Sequence, residues 1–322
     1  LARKAGEGVQ VRLLYDHVGS ILTSSSLFAQ LRRAGGMVNR FFPVSLLNPY
    51  SINYRNHRKI VVIDGITGYF GGMNIGDEYM NASASRHYFW RDTHVRIAGP
   101  AVQILQKQFL VDWYTAASKE EDLFDAGNNR LFFPGQLPGG ETAESREWLI
   151  PEPVTDVPVQ IVSSGPDDPR NDEIRDALVQ MISRARESVY IETPYFTPDS
   201  AFFTALKIAS LSGIDVRIII PGTWDKWYVR LAAMTYVEEL LGAGVRFWRY
   251  PGFIHAKMAV IDGRIASIGS TNVDTRSFSL NFELNAFCYS ASLGKKCAEI
   301  FRVDQQASRE TNLSWFRTAS PV

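Results

Sequence analysis

Cysteine is nearly absent from this chain: its 322 residues include two, Cys288 and Cys297, nine positions apart. Two thiols cannot build a disulfide framework, so both read as free thiols of a reducing compartment. Long apolar runs are missing as well. None approaches the ~20 residues that a bilayer-crossing helix requires, and no stretch has the form of a signal peptide. Net charge is the third absence. Thirty-four basic and thirty-four acidic residues cancel, which leaves no global field to gather nucleic acid, so no nucleic-acid partner is expected. Histidine is scarce, with five in all. What is plentiful is apolar side chain, 45% against 21% charged, enough to fill two cores or one fused core.

Against that background one pattern occurs twice. Residues 56–74 read NHRKIVVIDGITGYFGGMN and residues 254–272 read IHAKMAVIDGRIASIGSTN. His57, Lys59, Asp64, Gly71 and Asn74 recur in register as His255, Lys257, Asp262, Gly269 and Asn272. Two of five histidines falling on one place in a repeat sets aside the ordinary explanation of an isolated histidine, which is packing or solvation.

Each copy reads as a hairpin, a branched apolar run entering an Asp-Gly turn. His and Lys stand two apart on the first strand and so share a face, an imidazole beside an ammonium where a phosphate could lie. After the turn, G-G-M-N and G-S-T-N offer small residues for close approach to a ligand, and Asn74 and Asn272 offer amide donors. Asp64 and Asp262 complete the motif, but an Asp before Gly is what such a turn itself requires; from the residues alone both read as structural. No cofactor is expected, and no metal: each motif face carries a lysine, and no Cys or His stands at ligand spacing.

The repeat extends beyond the motifs. Residues 2–16 align with 206–221 as helix end, glycine and strand, and residues 27–43 with 236–251 as helix, glycine stop and strand. Helices alternating with strands in both parts give an α/β class. A stretch dense in Gly, Pro and charge, residues 119–152, reads as a linker between a first domain, 1–118, and a second, 153–322. Within it Leu131, Phe132 and Phe133 are either an anchor onto the domain or a finger into lipid. Trp224, Asp225, Lys226, Trp227 and Tyr228, on a loop at a strand end, suit a membrane rim or an acyl-chain pocket. Residues 157–205 have no counterpart before Leu1, so the first sheet is expected to lack up to two strands, to keep an open edge, and to belong to a longer chain.

The two H-x-K-x-x-x-x-D motifs with their trailing G-G-M-N and G-S-T-N resemble the phospholipase D superfamily. Together with ETPYFTPD (192–199) and STNVDTRSFSLNFE (270–283) they most resemble the bacterial cardiolipin synthases. The resemblance implies two phospholipase D-like α/β/α sandwich halves related by pseudo-two-fold symmetry, with the active site at their interface. It implies catalytic roles for His57, Lys59, Asp64, His255, Lys257 and Asp262, and phosphate contacts for Asn74 and Asn272. Asp92 and Glu283 would orient the two histidines, and Arg276 and Ser277 match the family pattern; Arg91, beside Asp92, matches it less closely.

The expected activity is phosphatidyl transfer between two phosphatidylglycerols, giving cardiolipin and glycerol. Its partners would be phospholipid and the membrane surface, at a bacterial inner membrane with the catalytic part facing the cytoplasm and membrane helices upstream. One imidazole must attack phosphorus and the other must protonate the leaving alkoxide, while cations neutralise the phosphate oxygens. The resemblance makes His57 the nucleophile; spacing alone does not assign the roles. Hydrolysis to phosphatidic acid, with water in place of the second lipid, is the enzymatic alternative. A non-catalytic lipid- or nucleic-acid-binding module is the other, disfavoured by two complete motifs.

Overall fold

In the computed structural model, residues 1–43, 53–80, 90–116, 132–133, 153–167 and 172–312 are described. The second half is built on one mixed sheet. Strands Ser188–Glu192, Asp215–Pro221 and Arg246–Tyr250 run parallel. Met258–Ile261, Ile265–Gly269, Asn281–Tyr289 and Val159–Ser164 continue the sheet antiparallel from Ser188–Glu192.

Period-two alternation divides the side chains between two helical layers. Val189, Ile191, Val216, Ile218 and Ile220 join one core cluster with Leu178, Ile182, Leu206 and Val237, from helices Glu173–Ser183, Ser200–Leu211 and Trp227–Gly242. Tyr190 and Ile219, pointing the other way, pack with Cys297, Ala298 and Phe301 of helix Ala291–Ala307. Asp199 and Ser290 cap two of these helices through backbone N–H groups three residues on. The fold is α/β, with helices on both faces of the sheet. Both cysteines are buried and free.

The first half repeats this design in two pieces. Arg12–Asp16 and Met37–Phe41 form a parallel pair, the counterpart of Asp215–Pro221 with Arg246–Tyr250. Ile60–Ile63, Thr67–Gly71 and His94–Ala98 form an antiparallel sheet, the counterpart of the second motif hairpin and the strand after it. Among the described residues no strand joins the two pieces as Ser188–Glu192 does in the second half. Val61 and Ile63 are accordingly exposed, whereas their equivalents Ala259 and Ile261 are buried.

The halves share a core: Phe70 and Leu105 of the first pack with Leu284, Ala286 and Cys288 of the second. Of the linker, Phe132 and Phe133 lie within the described residues, and Leu131 outside them. Phe132 is buried beside Leu110 and Trp113 with the Arg12 guanidinium over its ring. It is an anchor onto the domain and not a finger into lipid. Trp224 likewise packs against the second-half core. Trp227 and Tyr228 are exposed, but they begin a helix rather than belong to a loop.

Candidate active site

The two motifs meet because each feeds a short parallel strand pair that crosses between the halves. Arg55–Asn56 pairs with Asn281–Phe282, and Phe253–Ile254 pairs with Trp90–Arg91. One step further along each register the His57 amide donates to the Phe282 carbonyl and the His255 amide to the Arg91 carbonyl. His57 thus stands opposite Glu283, and His255 opposite Asp92.

The side chains complete this crossed pairing. His57 Nδ1 lies 2.9 Å from both Glu283 oxygens, and His255 Nδ1 lies 2.7 Å from Asp92 Oδ2. An ionised carboxylate only accepts, so it holds the proton of a neutral imidazole on Nδ1 and leaves the Nε2 lone pair to face a ligand. Glu283 is fully buried and is itself held by Ser270 Oγ at 2.5 Å and Asn281 Nδ2 at 3.0 Å. On the other side Tyr79 Oη is 3.1 Å from His255 Nδ1 and receives a hydrogen bond from Asn74 Nδ2. Trp90 and Phe253 stand 5.3 and 5.8 Å from the His255 ring, walling it with aromatic surface.

Burial dominates the electrostatics. It pushes Lys59 down to about 7 and Lys257 to about 8. His57 is lowered by burial and by the two lysines, against the pull of Glu283. His255 is lowered well below 6.5, by burial first and then by Lys257, Lys59 and His57. For Glu283 burial acts upward, yet His57, Lys59 and Ser270 outweigh it and the net direction is down. Asp92 goes up, burial prevailing over Lys257. That His57, Lys59 and His255 each register a charge of the other motif, and Lys257 the Asp92 carboxylate, makes this one site.

Residues 178–305 match the family model described as "Cardiolipin synthase, PLD-like domain". The chain is 46% identical over 313 residues to the major cardiolipin synthase ClsA of Bacillus subtilis (strain 168), covering 96% of this chain and 60% of that protein. It is 43% identical over 306 residues to a cardiolipin synthase of Listeria monocytogenes serotype 4a, covering 94% of this chain and 59% of the relative. The chain belongs to the phospholipase D superfamily. It spans about 60% of the length of the curated relatives it matches. Among solved structures, phosphatidylserine synthase of Haemophilus influenzae Rd KW20 superimposes with a TM-score of 0.65 at 15% identity, over 96% of this chain and 77% of that one. That likeness extends the phospholipase D fold across both halves.

Within this superfamily site, His57, Lys59, His255, Lys257, Asp92 and Glu283 come together, while the motif aspartates do not join them. Asp262 accepts backbone N–H groups of Arg186, Glu187 and Ser188 at 2.8–3.2 Å, and both Asp64 and Asp262 hold the positive φ of their turns, 54° and 53°. Asn74 is exposed on Tyr79, and Asn272 is buried beside Asp274. Arg276 donates to the Asn53 carbonyl across the halves, and the Ser277 amide is capped by Asp274. The small residues after each hairpin make room for protein rather than ligand. A Cβ at Gly72 would stand 2.1 Å from Asp92 Oδ1, and one at Gly269 2.3 Å from the Leu284 carbonyl oxygen. Tyr79, Ser270, Asn281 and Trp90 escaped the sequence reading. Ser270 had a signal, since it replaces Gly72 in the second copy of the repeat; Tyr79 had only its place within G-D-E-Y.

Proposed function

We propose that this chain is the catalytic part of a cardiolipin synthase, transferring a phosphatidyl group from one phosphatidylglycerol to another through a covalent histidine intermediate. The observation that carries the reading is the crossed arrangement, each imidazole backed by a carboxylate from the opposite half beside two lysines, Lys257 buried and Lys59 half-buried. Similarity to proteins named cardiolipin synthase supplies the substrate class. In this reading residues 1–118 and 153–322 are the two domains, joined by 119–152.

The substrate phosphodiester sits against Lys59 and Lys257, with amide donors from Asn74 and Asn272. Its negative charge raises the proton affinity of both lysines and both imidazoles, opposing the depression that burial imposes. His57 Nε2 attacks phosphorus, the bond to the glycerol oxygen breaks, and His255 Nε2–H delivers its proton to that oxygen. The ionised, bidentate Glu283 stabilises the positive charge that develops on His57. A head-group hydroxyl of the second phosphatidylglycerol then yields its proton to His255 and attacks phosphorus, freeing His57 and forming cardiolipin. Asp64 and Asp262 contribute the turns that present each strand.

No helix among the described residues is long and apolar enough to cross a membrane. Two segments next to the site carry exposed apolar side chains: Met73, Ile75 and Met80 beside Tyr79, and Trp227, Tyr228 and Leu231 beside Asp225, which accepts from Tyr195 Oη at 2.7 Å. These support approach to the substrate at a membrane surface; the reading sets that surface at the cytoplasmic face of the bacterial inner membrane and includes no nucleic-acid partner.

Incubation with labelled phosphatidylglycerol and chromatography of the lipids tests the reading, cardiolipin being the expected product. Phosphatidic acid alone would replace it with hydrolysis. Trapping of labelled phosphatidyl group on His255→Ala but not on His57→Ala supports the role assignment, and the opposite pattern reverses it.

A further inference from the structure

Behind each orienting carboxylate lies an arginine, its side chain buried at Arg58 and half-buried at Arg91, held by an aspartate from the helix that ends the opposite half. Arg58 donates to the carbonyl of Glu283 at 3.0 Å and to that of Ser164 at 2.8 Å, and pairs with Asp112 of helix Ala101–Ala116 at 2.6 Å. Arg91 donates to the carbonyl of Asp92 and pairs with Asp304 of helix Ala291–Ala307 at 2.7 Å. The two helices hold equivalent places in the two halves, and each clamp ties one half to the other.

The clamps differ in one group. Asp112 is completed by Gln108 and Asn56. Asp304 instead faces Glu192, which is 1% exposed and has no hydrogen-bond donor on either oxygen among the described residues. Asp304 acts on Glu192 as a hydrogen-bonding neighbour, and two carboxyl groups can bond to each other only with a proton between them. The other charged or titratable groups acting on Glu192 are Arg91 and Asp92 from the first half and Tyr250 and Cys297 from the second. Burial, opposed by Arg91 and reinforced by Asp304, pushes Glu192 up to about 8.

We propose that Arg91, Asp304 and Glu192 form a positioning clamp for Asp92, and through it for His255, set by one proton shared between the two carboxyl groups. The assignment of a catalytic consequence rests on the acid–base reading of His255; the clamp itself does not. Arg91 fixes the Asp92 backbone, Asp304 fixes Arg91, and protonated Glu192 keeps the pair from becoming two adjacent buried anions with a single cation. Loss of that proton sets Asp304 and Glu192 in competition for Arg91.

The test uses the full chain and histidine-selective NMR, which needs no turnover. Asp304→Asn is expected to shift the His255 resonances and leave those of His57 in place. In the lipid assay it lowers kcat by about tenfold or more with little change in KM, as a displaced acid–base group does. Glu192→Gln donates to Asp304 without titrating, so it keeps the parent His255 signal at neutral pH, whereas Glu192→Ala shifts it. A melting series checks the proton. The folded value near 8 lies above the ordinary 4.5, so the stability linked to this group is present below about 4.5 and is lost as pH rises to about 8. The melting temperature of Glu192→Gln should therefore gain on the parent across that window. An Asp304→Asn chain whose His255 resonances match the parent, or a Glu192→Gln melting difference that stays flat from pH 5 to 8, overturns the clamp. A parent chain that makes no cardiolipin counts against the proposed activity, and the NMR and melting outcomes still decide the clamp.

Discussion

Replacing Glu283 by glutamine removes one charge and almost no volume, which makes it the sharpest probe of the site. The carboxylate sits between His57 Nδ1 on both oxygens, Asn281 on Oε1 and Ser270 on Oε2. An amide nitrogen placed on the Asn281 side would set donor against donor. The amide oxygen must therefore take that side, with the NH2 turned toward Ser270, whose hydroxyl can accept. His57 Nδ1 then lies between an acceptor and a donor, and its tautomer is no longer dictated. The loss of a charge-assisted hydrogen bond to the imidazolium costs about 1.5–3 kcal/mol. A wrongly placed proton at such a position costs roughly 10⁴ in rate. Together these bracket a fall in kcat of about 10–10⁴.

A second effect follows through Lys59. Glu283 is the largest influence raising its proton affinity, against burial that brings it to about 7. Without the carboxylate Lys59 loses its proton more readily, so KM for phosphatidylglycerol rises in the variant, more at pH 8 than at pH 6. Stability moves with a defined sign. Glu283 is held below its ordinary 4.5 in the folded chain, so its contribution is present above that pH and is lost as pH falls through the folded value. The parent should melt above Glu283→Gln at neutral pH, and the gap should close in acid. Steady-state kinetics with mixed-micelle phosphatidylglycerol and a melting series from pH 8 down into acid well below 4.5 measure both. A folded Glu283→Gln with kcat within about tenfold of the parent would refute the crossed pairing as the source of activity.

Gly72→Ala puts a methyl 2.1 Å from Asp92 Oδ1 and should lower kcat by about 10²-fold through displacement of the carboxylate; kinetics of the purified variant well below its melting temperature settle it. Asp262→Ala frees three backbone donors and loses a residue suited to positive φ, so it should cost about 1–3 kcal/mol of stability by chemical denaturation with kcat per folded molecule near the parent's, and Asp262→Asn should cost less. With Lys59 near 7 and Lys257 near 8 through burial, kcat/KM should fall as pH rises through that window because the phosphate loses its cations, while kcat holds to higher pH since bound phosphate retains the lysine protons; a kcat/KM level to pH 10 argues against the lysines as the anion site. Activity should survive exhaustive chelation, the lysines supplying the positive charge, and loss restored by one divalent ion would overturn that view.

The duplicated motif made the second-half fold and the core of the site legible in the sequence. His57, Lys59, His255 and Lys257 could be named because a repeat separates shared chemistry from local packing, and the strand–turn reading of each Asp-Gly predicted the turn conformations of Asp64 and Asp262. Partnership across the halves was not legible. Asp92 and Glu283 were recognisable as carboxylates in equivalent places, but which histidine each serves depends on two-residue strand pairs, Arg55–Asn56 with Asn281–Phe282 and Phe253–Ile254 with Trp90–Arg91, too short to leave a periodic signal. The glycines misled for a related reason. Small residues near a phosphate motif suggest ligand approach, whereas Gly72 and Gly269 are small because a carboxylate and a neighbouring strand already occupy the space. Phe132 was ambiguous because an isolated aromatic in a polar stretch has the same sequence whether it meets lipid or Trp113.

The differences between the two copies bear on how one repeat yields two unlike imidazoles. At the position after the first hairpin glycine stands Gly72 in one copy and Ser270 in the other. Gly72 leaves space against the backbone, which the short side chain of Asp92 fills on its way to His255. Ser270 puts a hydroxyl there instead, and the longer Glu283 reaches His57 with both oxygens while accepting from that hydroxyl. The donors on Glu283 outweigh its burial and keep it ionised, ready for a positive charge on His57. Asp92, with burial prevailing, is the weaker counter-charge, and His255 is the more strongly depressed base. In the proposed reaction, a group that must carry a covalent phosphatidyl substituent needs a persistent anion behind it, whereas a group that takes and returns a proton needs an affinity that substrate charge can move. One glycine-to-serine difference within the repeat, with its matching Asp and Glu, separates the two environments along those lines.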